Sequence, residues 1–403
     1  MPKKGSMSVA VVGGNLQGVE ASYLARKAGW KVCVIDKNSS APASGLCDYF
    51  IQMDVTSKED LYPALNQIDL VIPALENDDA LESLERYTRS KGIPLAFDSR
   101  AYNISSSKVK SNRLFEKFDI PLPRPWPKSG FPVVVKPDKG SGSEGVRMFM
   151  NYGEMKATFP TLAFTDKWVL QEFVCGPSYS LEVTGIPGKY SSHLITDLEM
   201  DPEYDCKRVV APTDLSPELV VAFNKISIEI AEALCLKGIM DVEIMLHNGV
   251  IKVLEVDARL PSQTPTAVYW STGRNLVEIL GQLFVKDYDI YKNKSITERG
   301  IVYEHIRVSK DLLEIKGEHI MSGGGPLKVI SDFFGADEAI TNYDIARKEW
   351  VATLIVSGKD RKNALDRRNS VVDSIVDRYN LDVCDAIPRN SRGAPDSDAA
   401  AIR

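Results

Sequence analysis

Residues 240–259 read MDVEIMLHNGVIKVLEVDAR, two apolar runs on either side of Asn248-Gly249. An Asn-Gly pair between apolar runs favours a tight turn, so the segment predicts a β-hairpin with strands Met240–Leu246 and Val250–Val256. Carboxylates on apolar strands cost free energy unless a cation neutralises them. The hairpin therefore predicts either a metal site, because Mg²⁺ takes carboxylate oxygens, or solvent-facing acids alternating with core residues. The acids concerned are Asp241, Glu243, Glu255 and Asp257.

The register of this hairpin decides between the two interpretations. A two-residue turn would place Glu243 opposite Leu254, with Glu255 on the other face of the hairpin. An offset of one residue would instead place Glu243 beside Glu255. Because a three-residue loop with a glycine in the left-handed region supplies that offset, we predict a bulged turn near Gly249.

A second candidate site precedes the hairpin in the chain. The sequence predicts a strand at Val133–Pro137, a loop rich in Gly and Ser at Asp138–Gly145, and a further strand at Val146–Met150. Lys136 near the end of the first strand and the loop Lys139–Gly145 can hold phosphate groups. Small residues let the backbone approach a phosphate closely, and the lysine supplies a point charge. A hairpin loop without a ligand is the alternative.

The first hundred residues alternate strand and helix. The strand Val9–Val12 ends at a glycine-rich run, GGNLQG at 13–18, a helix Gln17–Ala28 follows, and Lys31–Asp36 is the next strand. This alternation predicts a parallel sheet covered on both faces. The glycine run leaves three interpretations open: a dinucleotide site with Asp36 at the ribose, a tight strand–helix turn, or an anion site for another ligand.

Periodicity and capping residues predict the remaining elements. The stretch from Pro388 has no apolar period and is expected to be a disordered tail. The predicted helices are Leu61–Asn66, Asp78–Lys91, Ser105–Phe118, Pro217–Leu236 and Asn363–Tyr379. The predicted strands are Ile68–Ala74, Pro94–Phe97 and Trp168–Val174, with a strand-rich region from Ile301 to Asp382.

The composition is that of an ordinary globular protein. The 403 residues are 44% apolar and 26% charged, with a formal net charge of −6. This mild acidity provides no basic patch for nucleic acid or anionic membranes, and no apolar run reaches the roughly 18 residues of a membrane span. The N-terminus does not read as a signal peptide, and the six cysteines form no CxxC pair. We expect a cytoplasmic location, reduced thiols, and neither a nucleic-acid nor a membrane partner.

The order of the motifs is more specific than any one of them. Along the chain come Lys108, VVVKPDKGSGSEGV at 133–146, QEFVCG at 171–176, DVE at 241–243 and LEVDAR at 254–259. This series resembles the ATP-grasp superfamily of carboxylate–amine ligases. The resemblance implies a mixed α/β and α+β chain, with a Rossmann-like pre-ATP-grasp domain and a two-subdomain ATP-grasp fold. The implied boundaries are 1–104 for the first domain, 105–170 for the small subdomain with the phosphate loop, 171–385 for the large subdomain with the strand-rich region, and 386–403 for the tail.

The same resemblance implies ATP and Mg²⁺ as cofactors and gives roles to individual residues. Glu243 and Glu255 would hold Mg²⁺, with Asp257, where the family usually has asparagine, as a third ligand. Arg259, Lys136 and Asp257 would act in catalysis, Arg259 facing the transferred phosphate. The residues implied for ATP binding are Lys108, Lys136, Lys139, Ser141, Gly142, Ser143, Gly145, Gln171, Glu172, Phe173 and Val174.

Two segments narrow the resemblance. Residues 9–38 and the run IKVLEVDARLPSQTPTAVYWSTG at 251–273 are similar to the ligases of pyrrolysine biosynthesis that join (3R)-3-methyl-D-ornithine to the ε-amine of L-lysine. The resemblance implies these two amino acids as substrates, an acyl phosphate intermediate, and, by analogy, a homodimer. The implied substrate-binding residues are Gly14, Asn15, Leu16, Gln17, Glu76, Glu182, Arg259 and Ser262.

Several assignments stay open at this point. Glu182, Asp257 and Glu76 are each candidates to take the proton of the attacking amine or to bind a substrate ammonium group. The side chains of Ser262–Thr266 bind an amino-acid carboxylate or cap the next helix. Alternative functions are a ligase for another amino-acid pair, an NAD-dependent oxidoreductase, and a nucleotide-binding regulatory protein without turnover.

Overall fold

A parallel sheet forms the N-terminal part of the chain, as the alternation of strands and helices predicts. The computed structural model describes residues 7–57, 65, 67–140, 145–159, 167–288 and 298–388. The strands follow the order β3-β2-β1-β4, and every pairing is parallel. The elements are β1 (Ser8–Val12), α1 (Leu16–Lys27), β2 (Lys31–Asp36), β3 (Tyr49–Gln52), β4 (Leu70–Pro73) and α2 (Asp78–Lys91).

A small antiparallel sheet of order β6-β5-β7 comes next and carries Lys136. Two helices lead into it where the sequence predicts one helix, Ser105–Phe118. That prediction is wrong because Ser107 caps a new helix: its hydroxyl accepts a hydrogen bond from the Lys110 amide at 3.2 Å. The elements are α3 (Ser99–Ser105), α4 (Lys108–Lys117), β5 (Val133–Pro137), β6 (Arg147–Phe149), α5 (Tyr152–Thr158) and β7 (Trp168–Glu172).

A large sheet of eleven described strands forms the rest of the fold, with the main order β12-β11-β8-β9-β10-β13-β17-β16-β15. Its pairings are antiparallel except for that between β14 and β18. The elements are β8 (Ser178–Ile186), β9 (Lys189–Met200), β10 (Cys206–Ala211), α6 (Pro217–Leu234), β11 (Gly238–His247), β12 (Val250–Asp257), α7 (Thr264–Thr272), α8 (Leu276–Phe284), β13 (Gly300–Ser309), β14 (Leu312–Ile315), β15 (Lys328–Phe333), β16 (Ala336–Thr341), β17 (Glu349–Gly358), α9 (Arg361–Tyr379) and β18 (Asp382–Cys384).

Most predicted elements agree with these bounds to within a few residues. The mixed α/β and α+β class is confirmed. Pro94–Phe97 forms no strand and contributes only a bridge between Leu95 and Val71. The predicted helix Leu61–Asn66 lies, apart from Leu65, outside the described residues, and so does the tail beyond Pro388.

The β11–β12 hairpin contains the predicted offset of one residue, but not at the predicted position. Glu243 pairs with Glu255, as the metal-site interpretation requires. The predicted bulged turn near Gly249 is wrong, because His247 pairs with Val250 across a two-residue turn with both φ angles positive, 52° at Asn248 and 78° at Gly249. The register shifts further along, between Glu243 and Ile244, where Leu254 is the additional residue on β12.

The hairpin has one apolar face and one acidic face. Val242 and Ile244 are fully buried in a core that also contains Phe223 and Ile230 of α6. Because neighbouring strand residues point to opposite faces, Glu243 lies on the other side of the sheet. The bulge therefore keeps the apolar side chains on the core side while it brings the acids of both strands together on the opposite face.

Contacts with the large sheet fix the position of the N-terminal domain. Helix α1 is buried from Gly18 to Ala25. The Asn275 side-chain amide donates to the Leu24 carbonyl at 2.8 Å, and the Thr266 amide donates to Glu20 Oε1 at 2.6 Å. The 42–45 turn is hydrogen-bonded to the chain before β15, since the Leu327 amide donates to the Pro42 carbonyl at 2.9 Å.

Gly13→Ala tests the tight turn between β1 and α1. Gly13 has φ +103°, and a Cβ there would lie 2.3 Å from the Ala74 carbonyl oxygen. A residue with a side chain is strained in this conformation and clashes with backbone, so we expect a markedly lower melting temperature. Gly323→Ala is the matched control because its Cβ would have no atom within 4 Å. Equal melting temperatures for the two variants would contradict the requirement for glycine at this turn.

Candidate active site

A cavity of about 650 Å³ lies between the N-terminal sheet and the acidic face of the hairpin. The carboxyl ends of β1, β2 and β4 form one wall, which is where open parallel sheets bind their ligands. The described lining residues include three Lys or Arg side chains, Lys37, Lys136 and Arg259. They also include nine carboxylates: Asp36, Asp54, Glu76, Asp205, Asp241, Glu243, Glu255, Asp257 and Glu318. The cavity therefore favours cationic ligands.

Two cross-strand rows carry the acids on the large sheet. Asp241 pairs with Asp257 on one side and Glu182 on the other, and Glu243 pairs with Glu255. Burial, followed by the charge of Glu255, raises the pKa of Glu243 to about 7. Burial likewise raises the pKa of Asp257 to about 6 and that of Asp241 well above its ordinary value. These shifts indicate that the carboxylates lack enough positive charge around them.

Lys108 supplies part of that charge. Its ammonium contacts Glu255 Oε1 at 2.8 Å and the Gly140 carbonyl at 2.6 Å. The first turn of α4 is attached to the chain after β5, because the Lys108 amide donates to the Asp138 carbonyl at 3.0 Å. The structure thus brings the predicted phosphate-binding lysine, the start of the predicted loop and a predicted metal ligand to one place.

Arg259 supplies charge on the other side of the acidic face. Its guanidinium contacts Asp257 Oδ2 at 3.0 Å and Glu76 Oε1 at 2.6 Å. Burial opposes its charged form, but Asp257 and Glu76 outweigh burial and hold its pKa above the ordinary value. Glu76 also accepts a hydrogen bond of 2.9 Å from the Gln17 side chain. Arg259 is therefore fixed between the hairpin and the N-terminal domain.

Lys136 lines the cavity on the small-sheet side. Burial lowers the pKa of its ammonium, which Glu255 partly opposes. An anionic ligand such as a phosphate would favour the charged form of this buried side chain. The position and the electrostatics of Lys136 thus suit the role that the sequence predicts.

The carboxylates of the acidic face suit a Mg²⁺ ion that is held jointly by the protein and by the phosphates of a nucleotide. In the described parts of the chain, no three His, Cys, Asp or Glu side chains are grouped closely enough to enclose a metal on their own. Mg²⁺ in phosphate-transferring enzymes is usually bound by one or two carboxylates together with substrate phosphates. The adjacent pair Glu243 and Glu255 meets that requirement, and Asp241 Oδ1 is a buried acceptor with no partner among the described residues.

The other residues predicted for ATP binding have varied surroundings. Lys139 lies on the surface, where its ammonium contacts Asp78 at 2.6 Å. Glu172 contacts Arg124 and Lys252; these contacts outweigh burial and lower its pKa to about 2. The amides of Glu172 and Phe173 already donate to the carbonyls of Arg124 and Pro132. Gly145 lies in the left-handed region, Gln171 is buried and Val174 is half-buried, while Ser141, Gly142 and Ser143 lie outside the described residues.

The glycine-rich turn at 13–18 offers neither a free Gly14 amide nor an open surface to a dinucleotide. The Gly14 amide donates to Asp36 Oδ2 at 2.6 Å, so the predicted ribose-binding acid is engaged within the protein. A Cβ at Gly14 would lie 2.6 Å from Ala41 Cβ, because the chain entering the 42–45 turn packs over the glycine. The amide and the surface that a dinucleotide would need are both occupied. This geometry disfavours the NAD interpretation.

Most of the predicted substrate-binding residues line the same cavity. Asn15, Leu16 and Gln17 lie at the start of α1, and Glu76 and Ser262 lie on the facing walls. Gly14 is buried and is not among the lining residues, and neither is the fully buried Glu182. Burial raises its pKa to about 7.

Sequence reasoning missed two acids of the far cavity wall, Asp205 and Glu318. Asp205 lies just before β10, and Glu318 begins a short 3₁₀ helix after β14; no sequence spacing connects either residue to the hairpin. Gln263, which also lines this wall, lies within Ser262–Thr266, whose side chains the sequence predicts to bind an amino-acid carboxylate or to cap the next helix.

Comparison with known proteins agrees with this geometry. Residues 105–263 match the ATP-grasp domain family, and residues 9–96 match the PylC-like N-terminal domain family. The chain is 34% identical to the 3-methyl-D-ornithine–L-lysine ligase of Methanosarcina mazei over 92% of this chain and 96% of that protein. The ligase of the same name from Methanosarcina acetivorans is also 34% identical, over 92% of this chain and 98% of that protein.

The chain belongs to the family of these ATP-grasp ligases. The same fold occurs in more distant proteins. A crystal structure of N5-carboxyaminoimidazole ribonucleotide synthetase with ADP superimposes on this chain with a TM-score of 0.68 at 16% identity. The match covers 93% of this chain and 98% of the other. The chain is therefore an ATP-grasp carbon–nitrogen ligase, and ligases of this family use ATP with Mg²⁺. No helix in the described part of the chain is both long and apolar enough to cross a membrane.

Lys136→Ala and Glu255→Gln test the central charges of this ATP-grasp site. Each removes a charge next to the position expected for the phosphates, so we expect kcat to fall roughly a hundredfold or more while the protein stays folded. Circular dichroism and ATP consumption measure the two properties. Glu349→Gln, which alters an exposed carboxylate, is the control. Full activity in either site variant would remove that residue from the mechanism.

Glu182→Gln tests whether that buried carboxyl is structural. Its ordinary pKa is 4.5 and burial raises it to about 7, so ionisation favours the unfolded chain increasingly between these values. Below pH 4.5 the carboxyl is protonated in both states and the variant should melt at the wild-type temperature. Above pH 7 the variant should melt at a higher temperature. Loss of turnover without a gain in melting temperature would instead indicate a role in binding substrate.

Proposed function

We propose that this enzyme joins the carboxylate of (3R)-3-methyl-D-ornithine to the ε-amine of L-lysine, with ATP as the source of energy. The observation that carries the proposal is the acidic cavity, which continues into the carboxylate hairpin. Each of these amino acids has two ammonium groups, so a cavity with nine carboxylates and three Lys or Arg residues among its described lining suits both. The names of the relatives from Methanosarcina support the same pair.

Activation of the carboxylate comes first in this proposal. A carboxylate does not react with an amine in neutral water because its oxygen is a poor leaving group, whereas an acyl phosphate has a good one. Catalysis of phosphoryl transfer consists mostly of positioning and charge stabilisation. Lys108, Lys136 and Arg259 are the cationic side chains that surround the acidic face and would stabilise the transferred phosphate.

Mg²⁺, when bound, would neutralise phosphate charge and help to hold the nucleotide. We assign Glu243 and Glu255 to it, since this adjacent pair supplies the one or two carboxylates that such an ion takes from the protein. Asp257 follows Glu255 by two residues on β12 and contacts Arg259, which places the proposed metal site next to the arginine assigned to the transferred phosphate. The residues of the Lys139–Gly145 loop would exclude water from the activated intermediate.

The attacking amine needs an acceptor for its proton. The ordinary pKa of a lysine side chain is near 10.4, so the amine arrives protonated at neutral pH. Asp257 and Glu76 line the cavity on either side of Arg259, while Glu182 does not line it. We therefore favour Asp257 or Glu76 over Glu182 for this role. A homodimer and a cytoplasmic location stay predictions.

The proposal is tested by ATP turnover with defined amino acids. Phosphate release should require Mg²⁺, L-lysine and 3-methyl-D-ornithine together, and mass spectrometry should detect the condensed amide. Phosphate release with the ornithine alone would support the acyl phosphate and leave the amine to be identified. Rapid ligation of a different amino-acid pair, with none of this one, would contradict the proposed substrates while retaining the ligase class.

A further inference from the structure

Strand β10 begins with a β-bulge at the far wall of the cavity. Cys206 lines the cavity, and it packs against the same hydrophobic core as Val209. Residues three apart on a regular strand lie on opposite faces, so one additional residue must separate these two. The pairing with β9 locates it, since the register shifts between Cys206 and Arg208. Lys207 is therefore the additional residue, and the bulge keeps Cys206 on the cavity side.

The Lys207 side chain points away from the cavity and is fully buried. Its ammonium contacts the Asp385 carboxylate and donates to the Ala386 carbonyl at 2.6 Å. Within the described part of the chain, Asp385 is the one acid that Lys207 contacts. Removing one partner of a buried ion pair leaves an uncompensated charge, which is strongly destabilising. The bulge therefore depends on a carboxylate that lies 178 residues away in the chain.

A network of charges on the outer face of the large sheet holds Asp385 in place. Arg208 contacts the fully buried Glu304, as does Arg368 of α9. Both guanidinium groups also approach the Asp385 carboxylate, Arg208 at 2.7 Å and Arg368 at 3.6 Å. Burial opposes the charged form of Asp385, but Arg208 and Lys207 outweigh burial and lower its pKa. The carboxylate is thus ionised at neutral pH and serves as the counter-ion of Lys207.

Asp385 directly follows the peripheral strand β18. All three residues of β18 are exposed, and among the described strands it pairs only with β14. The Asp382 amide donates to the Asp311 carbonyl at 2.7 Å at the start of this pairing. Beyond the strand, Asp385 and Ala386 reach the buried ammonium of Lys207. The ion pair thus joins a strand at the edge of the sheet to the bulge on the cavity wall.

The bulge also fixes the position of an acid on that wall. Asp205, which precedes Cys206, lines the cavity, and its carboxylate accepts a hydrogen bond of 3.0 Å from the His319 amide. It packs so closely on Gly317 that a Cβ there would lie 2.0 Å from Asp205 Cγ. With so little room, a shift of β10 by one residue displaces Asp205 from the wall.

We propose that Asp385 is a positioning residue of the active site. By neutralising Lys207 it holds the β10 bulge, and through the bulge it holds Asp205 and Cys206 at the cavity wall. The inference rests on the proposed function, because it takes this cavity to receive the amino acids. Without the carboxylate the buried ammonium has to move towards water, and since Lys207 is the neighbour of Cys206, that movement displaces the wall.

Alkylation of individual cysteines tests the position of the bulge. The Cys206 thiol donates to the Arg208 carbonyl at 3.6 Å, so its reactivity reports the bulge. In Asp385→Asn, which removes the charge with little change of shape, iodoacetamide should label Cys206 roughly tenfold faster, because local opening exposes the thiol. Peptide mass spectrometry measures the rate. Cys33, buried in the N-terminal sheet, reports global unfolding and should keep the wild-type rate.

Kinetics show whether the displaced wall affects substrate binding. In the ligase assay Asp385→Asn should raise KM for at least one amino acid roughly tenfold and leave KM for ATP within about twofold. The nucleotide differs because Lys108 and Lys136 belong to other elements. Asp382→Asn is the matched control, since it makes the same substitution on the exposed strand of the same segment.

A double variant identifies the unpaired ammonium as the cause. Lys207→Met added to Asp385→Asn removes the buried charge, while Arg208 and Arg368 keep Glu304 as their partner. The double variant should therefore recover most of the wild-type KM and of the slow labelling of Cys206. Without such recovery, the pairing of Lys207 with Asp385 is not what holds the wall.

The remaining outcomes separate this inference from the proposed function. Equal labelling of Cys206 in Asp385→Asn and wild type overturns the positioning role. A parallel increase at Cys33 also overturns it, because the substitution then destabilises the whole fold. The labelling needs no turnover. If Cys206 alone becomes reactive but the wild type does not ligate the proposed pair, the positioning of the wall stands and the proposed function fails.

Discussion

The rest of the site depends on the cost of burying like charges together. The β11–β12 hairpin places Asp241, Glu243, Glu255 and Asp257 on one face, although burial raises the pKa of three of these four acids. Such a face is stable only if positive charge is brought to it. The charge comes from three side chains: Lys108 at the start of α4, Arg259 just after β12, and Lys136 on the small sheet. Three separate elements are thus arranged by one electrostatic requirement.

The same requirement links the site to the N-terminal domain. Arg259 contacts both the hairpin and Glu76, and Glu76 in turn accepts a hydrogen bond from Gln17 at the start of α1. The wall proposed to receive the amino acids and the wall proposed to receive the nucleotide therefore share one guanidinium. A substrate that disturbs Glu76 also changes the surroundings of Asp257. This connection gives the enzyme a short physical route between amino-acid binding and phosphate chemistry.

The sequence predicts the elements well and the irregularities poorly. The offset that pairs Glu243 with Glu255 follows from the chemistry of metal binding, but its location depends on packing. Ile251 and Val253 lie in the same core as Val256, a spacing that requires a bulge between Val253 and Val256. Leu254 is itself apolar, so the sequence pattern conceals this change of side. A three-residue loop and a bulge within the strand give the same pairing, and only the structure distinguishes them.

Sequence reasoning at the site succeeds where local chemistry decides and fails where distant segments meet. The sequence predicts Lys108 within a longer helix, yet the Ser107 cap puts it at a helix start beside Asp138. Glu318 has no local motif and reaches the cavity only through the large sheet.

The hydrogen bond between the 42–45 turn and Leu327 has a practical consequence. A chimera that takes its first hundred residues from a relative must also take the segment before β15, since the two surfaces have to match for the hybrid to assemble.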